Sequence, residues 1–337
     1  MSRLLTYVTL LFILYFTFKY VYSGDEHNKQ QTSTTSIAIT TTILRPDVSF
    51  TTWLDYHLQR AKYIMVHMDD PENTRETIEQ ICSTRPNVIL RNGSQTKPEM
   101  TPESRIMLRQ QDNVLEAIMY FLDPTHPAAW LVHIDTDELL YEPGGETERS
   151  WNHHQEAGSV KFTNHEALPL MEEVDNPFVS CTSFRVSSGG TKHFMAYGNG
   201  KAAVRLSSRV APSGPHAFTG YRGDLYKVPA EEAMVLHYPT PSYERWVAKY
   251  KHFGQFGDYW YDDPTVPNKM DFMKRSRDVV QMAVKSGDWT EARAFWDSWV
   301  PKQGSSEWRE DVEMERVRKY EPLAGLLGAK GQDRLDL

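Results

Sequence analysis

Asp135 and Asp137 are the residues in this chain whose type and spacing most directly suggest chemistry. They stand in Asp135-Thr136-Asp137-Glu138, directly after an apolar run, Ala128 to Ile134, that only His133 interrupts. Such a run reads as a buried strand of a parallel sheet. Carboxylates delivered at the carboxyl end of a buried strand sit where open α/β sheets place their ligands. Two of them, two residues apart, are hard oxygen donors for a divalent cation, Mn²⁺ or Mg²⁺, that would bridge to phosphate. The competing reading is that Thr136 or Asp137 only caps the following turn, and Asp-x-Asp alone recurs in many unrelated chains. A later ligand would complete the set. His216, in the stiff Pro212-Ser-Gly-Pro-His216 loop, and His237, closing the strand-like Ala233 to Leu236 run, are the candidates. Most histidines simply hydrogen-bond in a core or turn. Lys201 and Arg205 follow the Asn199-Gly200 pair in a stretch otherwise made of Ala, Val and Leu. They read either as cations for a diphosphate or as an exposed strand face.

The elements that would position these groups alternate. Ile37 to Leu44 is rich in β-branched residues and predicts a strand, and Phe50 to Lys62 carries apolar residues at helical spacing. Tyr63 to His67 predicts a second strand, Asn73 to Cys82 a helix, Asn87 to Leu90 a third strand. Pro102 to Leu122 predicts a long helix, with Thr101 as N-cap and Pro102 at its first position. This β-α-β-α-β order implies a parallel sheet with right-handed crossovers. Beyond the acidic pair the pattern changes. Val160 to Phe162 and Thr182 to Val186 predict short strands, and Asn199-Gly200 is a hairpin-turn signal. The second half therefore reads as a mixed or antiparallel extension of the same sheet. From Ser242 onward the pattern is helical and aromatic, notably Tyr243 to Phe253 and Trp289 to Val300.

The 337 residues suffice for one large α/β domain or two small ones, and a net charge of −8 without a basic patch argues against a nucleic-acid partner. Cys82 and Cys181 are the two cysteines, which leaves one disulfide or two thiols open. Leu4 to Tyr22 is an apolar, aromatic stretch close to the length that crosses a bilayer, with Lys19 placed to snorkel and Tyr20 and Tyr22 suited to an interface. It reads as a signal anchor, with a cleaved signal peptide ending near Val21-Tyr22-Ser23 as the alternative. Either sends the body into the secretory pathway. The expected division is a cytosolic tail at 1–3, an anchor at 4–22, a polar stem at 23–36 and a lumenal body at 37–337. That body splits at 141 and 241 into a donor-binding half, an acceptor and metal-closing half, and a helical end. Asn92-Gly93-Ser94 is a glycosylation sequon in a predicted loop.

Three groups of residues carry a family resemblance. Trp53-Leu54-Asp55-Tyr56-His57-Leu58, followed by Ile64 to His67 and Asp69-Asp70, resembles the opening of glycosyltransferase family 92 and the related family-2-like transferases. Arg109-Gln110 with Asn113, then Trp130 to Leu140, resembles the same group's Asp-x-Asp-Glu segment. Asn199-Gly200-Lys201 with Arg205, Gly214-Pro215-His216, and His237-Tyr238 with Trp246 and Lys249 keep that group's order. The resemblance spans about Ile37 to Phe253. It implies a GT-A-like fold: α/β, a Rossmann-type mostly parallel sheet with helices on both faces, a mixed-sheet second half and a helical C-terminal region.

The resemblance also implies an activity, transfer of a sugar from a nucleotide-sugar donor to a glycan or glycoconjugate acceptor at a Golgi-type membrane. In that reaction Asp135 and Asp137 would hold the cation, and Asp69, Asp70, Arg109, Gln110, Asp135, Lys201 and Arg205 would contact the donor. Asp69-Asp70 has the alternative of a helix N-terminal acidic cluster. Direct inversion requires a carboxylate to take the acceptor's proton. Glu166 is the candidate, Asp175 and Asp224 its rivals, and Glu138 reads as a group that orients the ligands. Two other classes compete. A metal-dependent hydrolase would normally show clustered His ligands, and neither His-x-His nor His-Glu-x-x-His occurs. A carbohydrate-binding protein with a structural metal loop would share the aromatic richness, which more often belongs to a core.

Overall fold

The computed structural model describes residues 36–94, 102–145, 151–170, 173–187, 194–258, 271–301 and 305–324. The anchor at 4–22 and the Thr101 cap lie outside them, and among the described residues no helix is long and apolar enough to cross a membrane.

The first half alternates as its periodicity requires: β1 (Ile37–Ile43), α1 (Val48–Leu58), β2 (Tyr63–Met68), α2 (Pro71–Cys82), β3 (Val88–Asn92), α3 (Pro102–Leu122) and β4 (Trp130–His133). Asp47 starts α1 by accepting the Ser49 amide at 2.8 Å. The four strands pair in parallel in the order β4-β1-β2-β3. Alternate residues of β1 face opposite ways: Ile37 and Ile39 pack with Trp53 of α1, Ala38 with Val114 and Ile118 of α3. Helices therefore cover both faces, and β1 is buried nearly throughout.

The rest follows as β5 (Glu138–Tyr141), β6 (Ala157–Phe162), β7 (Asn164–Ala167), α4 (Pro177–Ser180), β8 (Ser183–Arg185), β9 (Lys201–Arg205), β10 (Ala211–Pro212), β11 (Phe218–Thr219), β12 (Asp224–Lys227) and β13 (Met234–His237). After α5 (Tyr243–His252), α6 (Asp271–Ser286), α7 (Thr290–Trp299) and α8 (Ser306–Glu313), the chain ends its described part in β14 (Val317–Lys319). β9 inserts antiparallel beside β4, and β6 and β12 continue outward, giving a seven-stranded mixed sheet β12-β6-β9-β4-β1-β2-β3. The fold is thus mixed α/β with a parallel-rich sheet.

Three expectations are corrected here. The second half extends the first sheet but also builds a second, five-stranded one, β14-β8-β7-β13-β5, to which the C-terminal stretch contributes β14. Asn199-Gly200 makes no hairpin, because β9 begins directly after it and pairs with β4 and β6, neither of which adjoins it in sequence. Gly200 does adopt φ +61°, and a Cβ there would lie 1.9 Å from the Phe162 carbonyl oxygen, so glycine is required by close backbone approach. Asn92 closes β3 instead of lying in a loop, its side chain accepting from Arg75 at 2.5 Å. Cys82 and Cys181 are both buried free thiols, which burial pushes up to about 11 and about 12.

The C-terminal helices form an aromatic cluster of their own around Trp246, Tyr250, Phe272 and Trp296, which also takes in Met195 and Ala196. That contact joins α5 to the segment before β9.

Candidate functional site

The chain crosses between its two larger sheets at Ile134 to Asp137, since β4 belongs to the seven-stranded one and β5 to the five-stranded one. Both carboxylates are therefore presented at the seam, on backbone clamped from either side. α1 supplies the clamp. Trp53 Nε1 donates to the carbonyls of Asp135 and Glu138, at 3.1 and 2.8 Å, and the Tyr56 hydroxyl donates to Leu140 O at 3.0 Å. His57 accepts the Leu140 amide at Nε2 (3.2 Å) while its Nδ1 meets Trp53 O (3.0 Å), which fixes the neutral tautomer. From the far side the Tyr238 amide donates to Asp137 O at 2.8 Å. The Trp-Leu-x-Tyr-His stretch thus acts by holding the acidic loop.

Lys201, the first residue of β9, is wholly buried and lies 2.5 Å from Asp135 Oδ2 and 3.4 Å from Glu138 Oε2. Burial alone would lower its affinity for the proton, but Asp135 and Glu138 outweigh that and hold the ammonium above its ordinary value. Asp135 is half-buried; burial opposes its ionisation, yet Lys201 and His133 draw it below its usual range. Glu138 goes the other way: burial raises it beyond what the more distant Lys201 recovers. Its Oε2 accepts the Asp135 amide at 2.9 Å, and its Oε1 accepts the Tyr197 hydroxyl. The remaining Asp135 oxygen, Oδ1, has the Gln110 amide at 3.4 Å and His133 Nε2 at 3.8 Å.

Asp137 has different partners. His237 Nε2 and Lys249 Nζ stand 3.6 and 3.5 Å from its Oδ2. Burial opposes its ionisation, yet Lys249 and His237 carry it well below the usual carboxylate range. Burial would likewise keep His237 neutral, but Asp137 and Glu166 push its imidazole up to about 9. The ring stacks on Tyr197, 4.6 Å between centroids, and Tyr197 meets His216 edge-on at 4.4 Å.

At the carboxyl end of β2, Arg109 Nη2 donates to Asp69 Oδ2 at 2.8 Å, and its Nε stands 2.6 Å from Oδ1 as an ion-pair contact. Asp70 occupies the N-cap position of α2 without a side-chain cap bond, and its carboxylate accepts from the Asn73 side-chain Nδ2 at 2.9 and 3.0 Å. Asn113 ties this region together, donating to Thr42 at 2.9 Å and accepting the Ser94 amide at 2.8 Å.

Asp135, Asp137, His237, Lys201 and Gln110 are therefore brought together, with Asp69 and Arg109 along the same strand-end crevice. His216 is near. Its Nδ1 meets Gly200 O at 2.8 Å, and burial, with Lys201, holds it well below its ordinary value. Four assignments are corrected. Glu166 is buried in β7 with both oxygens spent on the amides of Met195 and Ala196, at 2.6 and 2.9 Å. It fixes the segment that carries Tyr197 over His237, so it is not placed to take a proton from an acceptor. Arg205 pairs with Trp130 in the β4–β9 ladder, at the opposite end of the strand from Lys201, and donates to the carbonyls of Ala157 and His154. Asp224 pairs with Ala157 at that same remote end. Asp175 is exposed and contributes its carbonyl to Arg245 at 2.9 Å.

The sequence named Lys249 only within the resemblance and left Arg245 and His252 of the same α5 face unassigned. Arg245, Lys249 and His252, at spacings of four and three, share a helical face. Arg245 reaches Asp47 and Asp175, Lys249 reaches Asp137, and His252 senses Arg45, Asp69 and Arg109. The row of basic residues was the available signal, masked by the aromatic residues between them.

Among the described residues no three His, Cys, Asp or Glu side chains close a cage around a metal. The donors nonetheless suit a divalent cation that shares its shell with phosphate. Asp137 Oδ2 and His237 Nε2 face each other at 3.6 Å, too far apart for a hydrogen bond. His237 Nδ1 has no hydrogen-bond partner among the described residues, Glu166 standing 3.7 Å off as the group that orients the ring.

No family model matches the chain. Two glycosyltransferase-like proteins of Arabidopsis thaliana do. One is 32% identical over 136 residues, 34% of this chain and 26% of the relative, and the other 28% identical over 131 residues, 32% and 29% respectively. The matched stretch thus spans little more than a quarter of either relative. Among solved structures, TarS from S. aureus aligns over 79% of this chain and 81% of that one at 8% identity. A mannosyltransferase from Pyrobaculum calidifontis, complexed with GDP-Man and Mn²⁺, aligns over 90% of both chains at 12% identity. Both give a TM-score of 0.35, too low to bear on the fold, which rests on the strand order above.

Proposed function

We propose that this chain is a glycosyltransferase of GT-A type that moves a sugar from a nucleoside-diphosphate donor, in the first instance a UDP-sugar, to a hydroxyl of a glycan or glycoconjugate. The observation that carries the reading is the acidic pair at the sheet seam with Lys201, His237 and Lys249 around it. The naming of the two plant relatives supports it, and those relatives are much longer than the matched region.

In this reading, breaking the bond from the anomeric carbon to the diphosphate leaves growing negative charge on the leaving group, which preformed cations stabilise. Lys249 is the partly exposed ammonium that reaches into the crevice, 2.9 Å from Pro239 O and 3.5 Å from Asp137. Lys201 is the buried one that holds Asp135 and Glu138 in place. Asp137 and His237, with Asp135, would hold Mn²⁺ or Mg²⁺, which when bound neutralises phosphate charge. Asp69, positioned by Arg109, is available to the ribose or base. Residues 4–22 would anchor the chain as a single-pass type II protein of the Golgi or another secretory membrane.

Titration calorimetry of UDP with Mn²⁺ tests the central claim. The chain should bind UDP, and Asp137→Asn should lose the Mn²⁺-dependent part while keeping its thermal transition. Absence of UDP binding, or full Mn²⁺ dependence surviving in Asp137→Asn, overturns it. For the membrane reading, an endoglycosidase-sensitive shift at Asn92 on expression in secretory cells is the expected result.

A further inference from the structure

We propose that a cavity beside Asp137 accepts one acidic sugar unit, and that Arg45 and Arg245 recognise its anionic group. The assignment rests on the transferase reading and names the substrate class of that site.

The cavity measures about 150 Å³, smaller than the roughly 300–1,000 Å³ of sites for drug-sized ligands and suited to a single ring. Phe50, Phe178 and Tyr238, each almost wholly buried, form its rigid floor, and Thr136 offers a hydroxyl at its wall. Asp137 lies at its edge, so an occupant abuts the group that faces Lys249 and His237.

Charge accounting points to an anion. Asp135 is matched by Lys201, and Asp137 by Lys249 and His237, so the diphosphate region has its own cations. The cavity adds two guanidinium groups, of which Arg245 is paired with Asp47, a carboxylate that also lines it, so the surplus cation is Arg45. Arg45 is exposed at the end of β1 and, among the described residues, makes no ion pair with a carboxylate. Arg245 is shared between the solvent-facing Asp47 carboxylate and the Asp175 carbonyl. A pair of that kind is weak and exchanges partners readily. Two planar forks across one small cavity match a carboxylate or phosphate better than a neutral hydroxyl.

The experiment measures binding of methyl glucuronide, glucose 6-phosphate and methyl glucoside to the full chain by saturation-transfer NMR, with UDP binding recorded on the same sample. At least one anionic sugar should bind ten-fold or more tightly than methyl glucoside, and which one does identifies the carboxylate or the phosphate as the group read. Arg45→Gln and Arg245→Gln should each erase most of that preference, with an unchanged thermal transition showing that they fold. Equal binding of all three probes, or a preference that survives both substitutions, overturns the proposal. Loss of UDP binding by the unaltered chain would instead sink the transferase reading and leave the sugar comparison to be judged separately.

Discussion

The indole N–H of Trp53 bridges the carbonyls of Asp135 and Glu138, at 3.1 and 2.8 Å, from a helix more than eighty residues upstream. One donor thereby sets the backbone on both sides of Thr136 and Asp137, and it does so from within the core, since Trp53 is fully buried. The geometry of the acidic pair is thus imposed by α1 before any ligand arrives.

Trp53→Phe keeps most of the apolar volume and removes the bridge. Two carbonyls then lose the indole as donor, Asp135 O keeping the Glu138 N–H at 3.1 Å, and a cost of about 1–3 kcal/mol is expected. Urea denaturation should show that loss, and the affinity for UDP with Mn²⁺ should fall by more than the stability change alone explains. A variant as stable as the parent would mean that the loop holds its shape unaided.

The β-α-β-α-β half was legible because β1 is almost wholly β-branched, β2 and β4 are apolar but for one histidine each, and the helices between them keep their spacing. The second sheet was not, because its strands are three or four residues long and pair across distant parts of the chain, as β13 does with β5 and β7. Asp135 and Asp137 were readable from a strand-end rule that needs only local sequence. Lys201 was readable as a cation, but its total burial against Asp135 follows from β9 inserting between β4 and β6. Glu166 misled for the same reason: a carboxylate after a short strand resembles a base until the amides of Met195 and Ala196 are seen to fill it.

Gly200 tests the register that delivers Lys201. At φ +61° a non-glycine residue costs about 1–2 kcal/mol from conformation alone, and the added Cβ would overlap Phe162 O at 1.9 Å. Gly200→Ala is therefore expected to lose more than about 2 kcal/mol and to weaken nucleotide binding by displacing β9. Gly214→Ala is the control, with φ +74° but nothing within 4 Å of its Cβ, and should lose only the conformational part. Equal losses in urea melts would show that the contact at Phe162 relaxes freely.

Acid lability follows from the buried histidines. Burial, with Arg60 adding to it, brings His57 down to about 3 from an ordinary 6.5. Between those values the unfolded chain binds a proton that the folded chain refuses, so stability rises with pH across the window. The contribution is complete above pH 6.5 and declines as the pH falls toward 3, at about 1.4 kcal/mol per pH unit. His67 and His133, lowered mainly by burial to about 3 and about 4, act in the same direction. Denaturation midpoints measured from pH 7 to pH 4.5 should fall steadily, and His57→Gln, although less stable at neutral pH, should show a shallower slope. A slope unchanged in that variant would assign the lability elsewhere.

Lys201 offers the sharpest test of the site's internal charge balance. Its ammonium is enclosed with Asp135 and Glu138, and truncating one member of a buried charged group typically costs about 3–5 kcal/mol, because the partners stay behind uncompensated. Lys201→Met should accordingly lose several kcal/mol. Glu138→Gln in the same chain removes one of the stranded carboxylates, while its amide oxygen still accepts the Asp135 backbone N–H and its NH2 donates to the Tyr197 oxygen once that hydroxyl turns. The double variant is therefore expected to recover about a third to a half of the loss, a coupling that separate sites would not show. Lys201→Arg, keeping the charge but enlarging a fully enclosed group, should fold less stably than the parent and more stably than Lys201→Met. Denaturant titration of the four proteins gives the cycle directly, and additive losses from Lys201→Met and Glu138→Gln would mean that the two side chains do not sense one another.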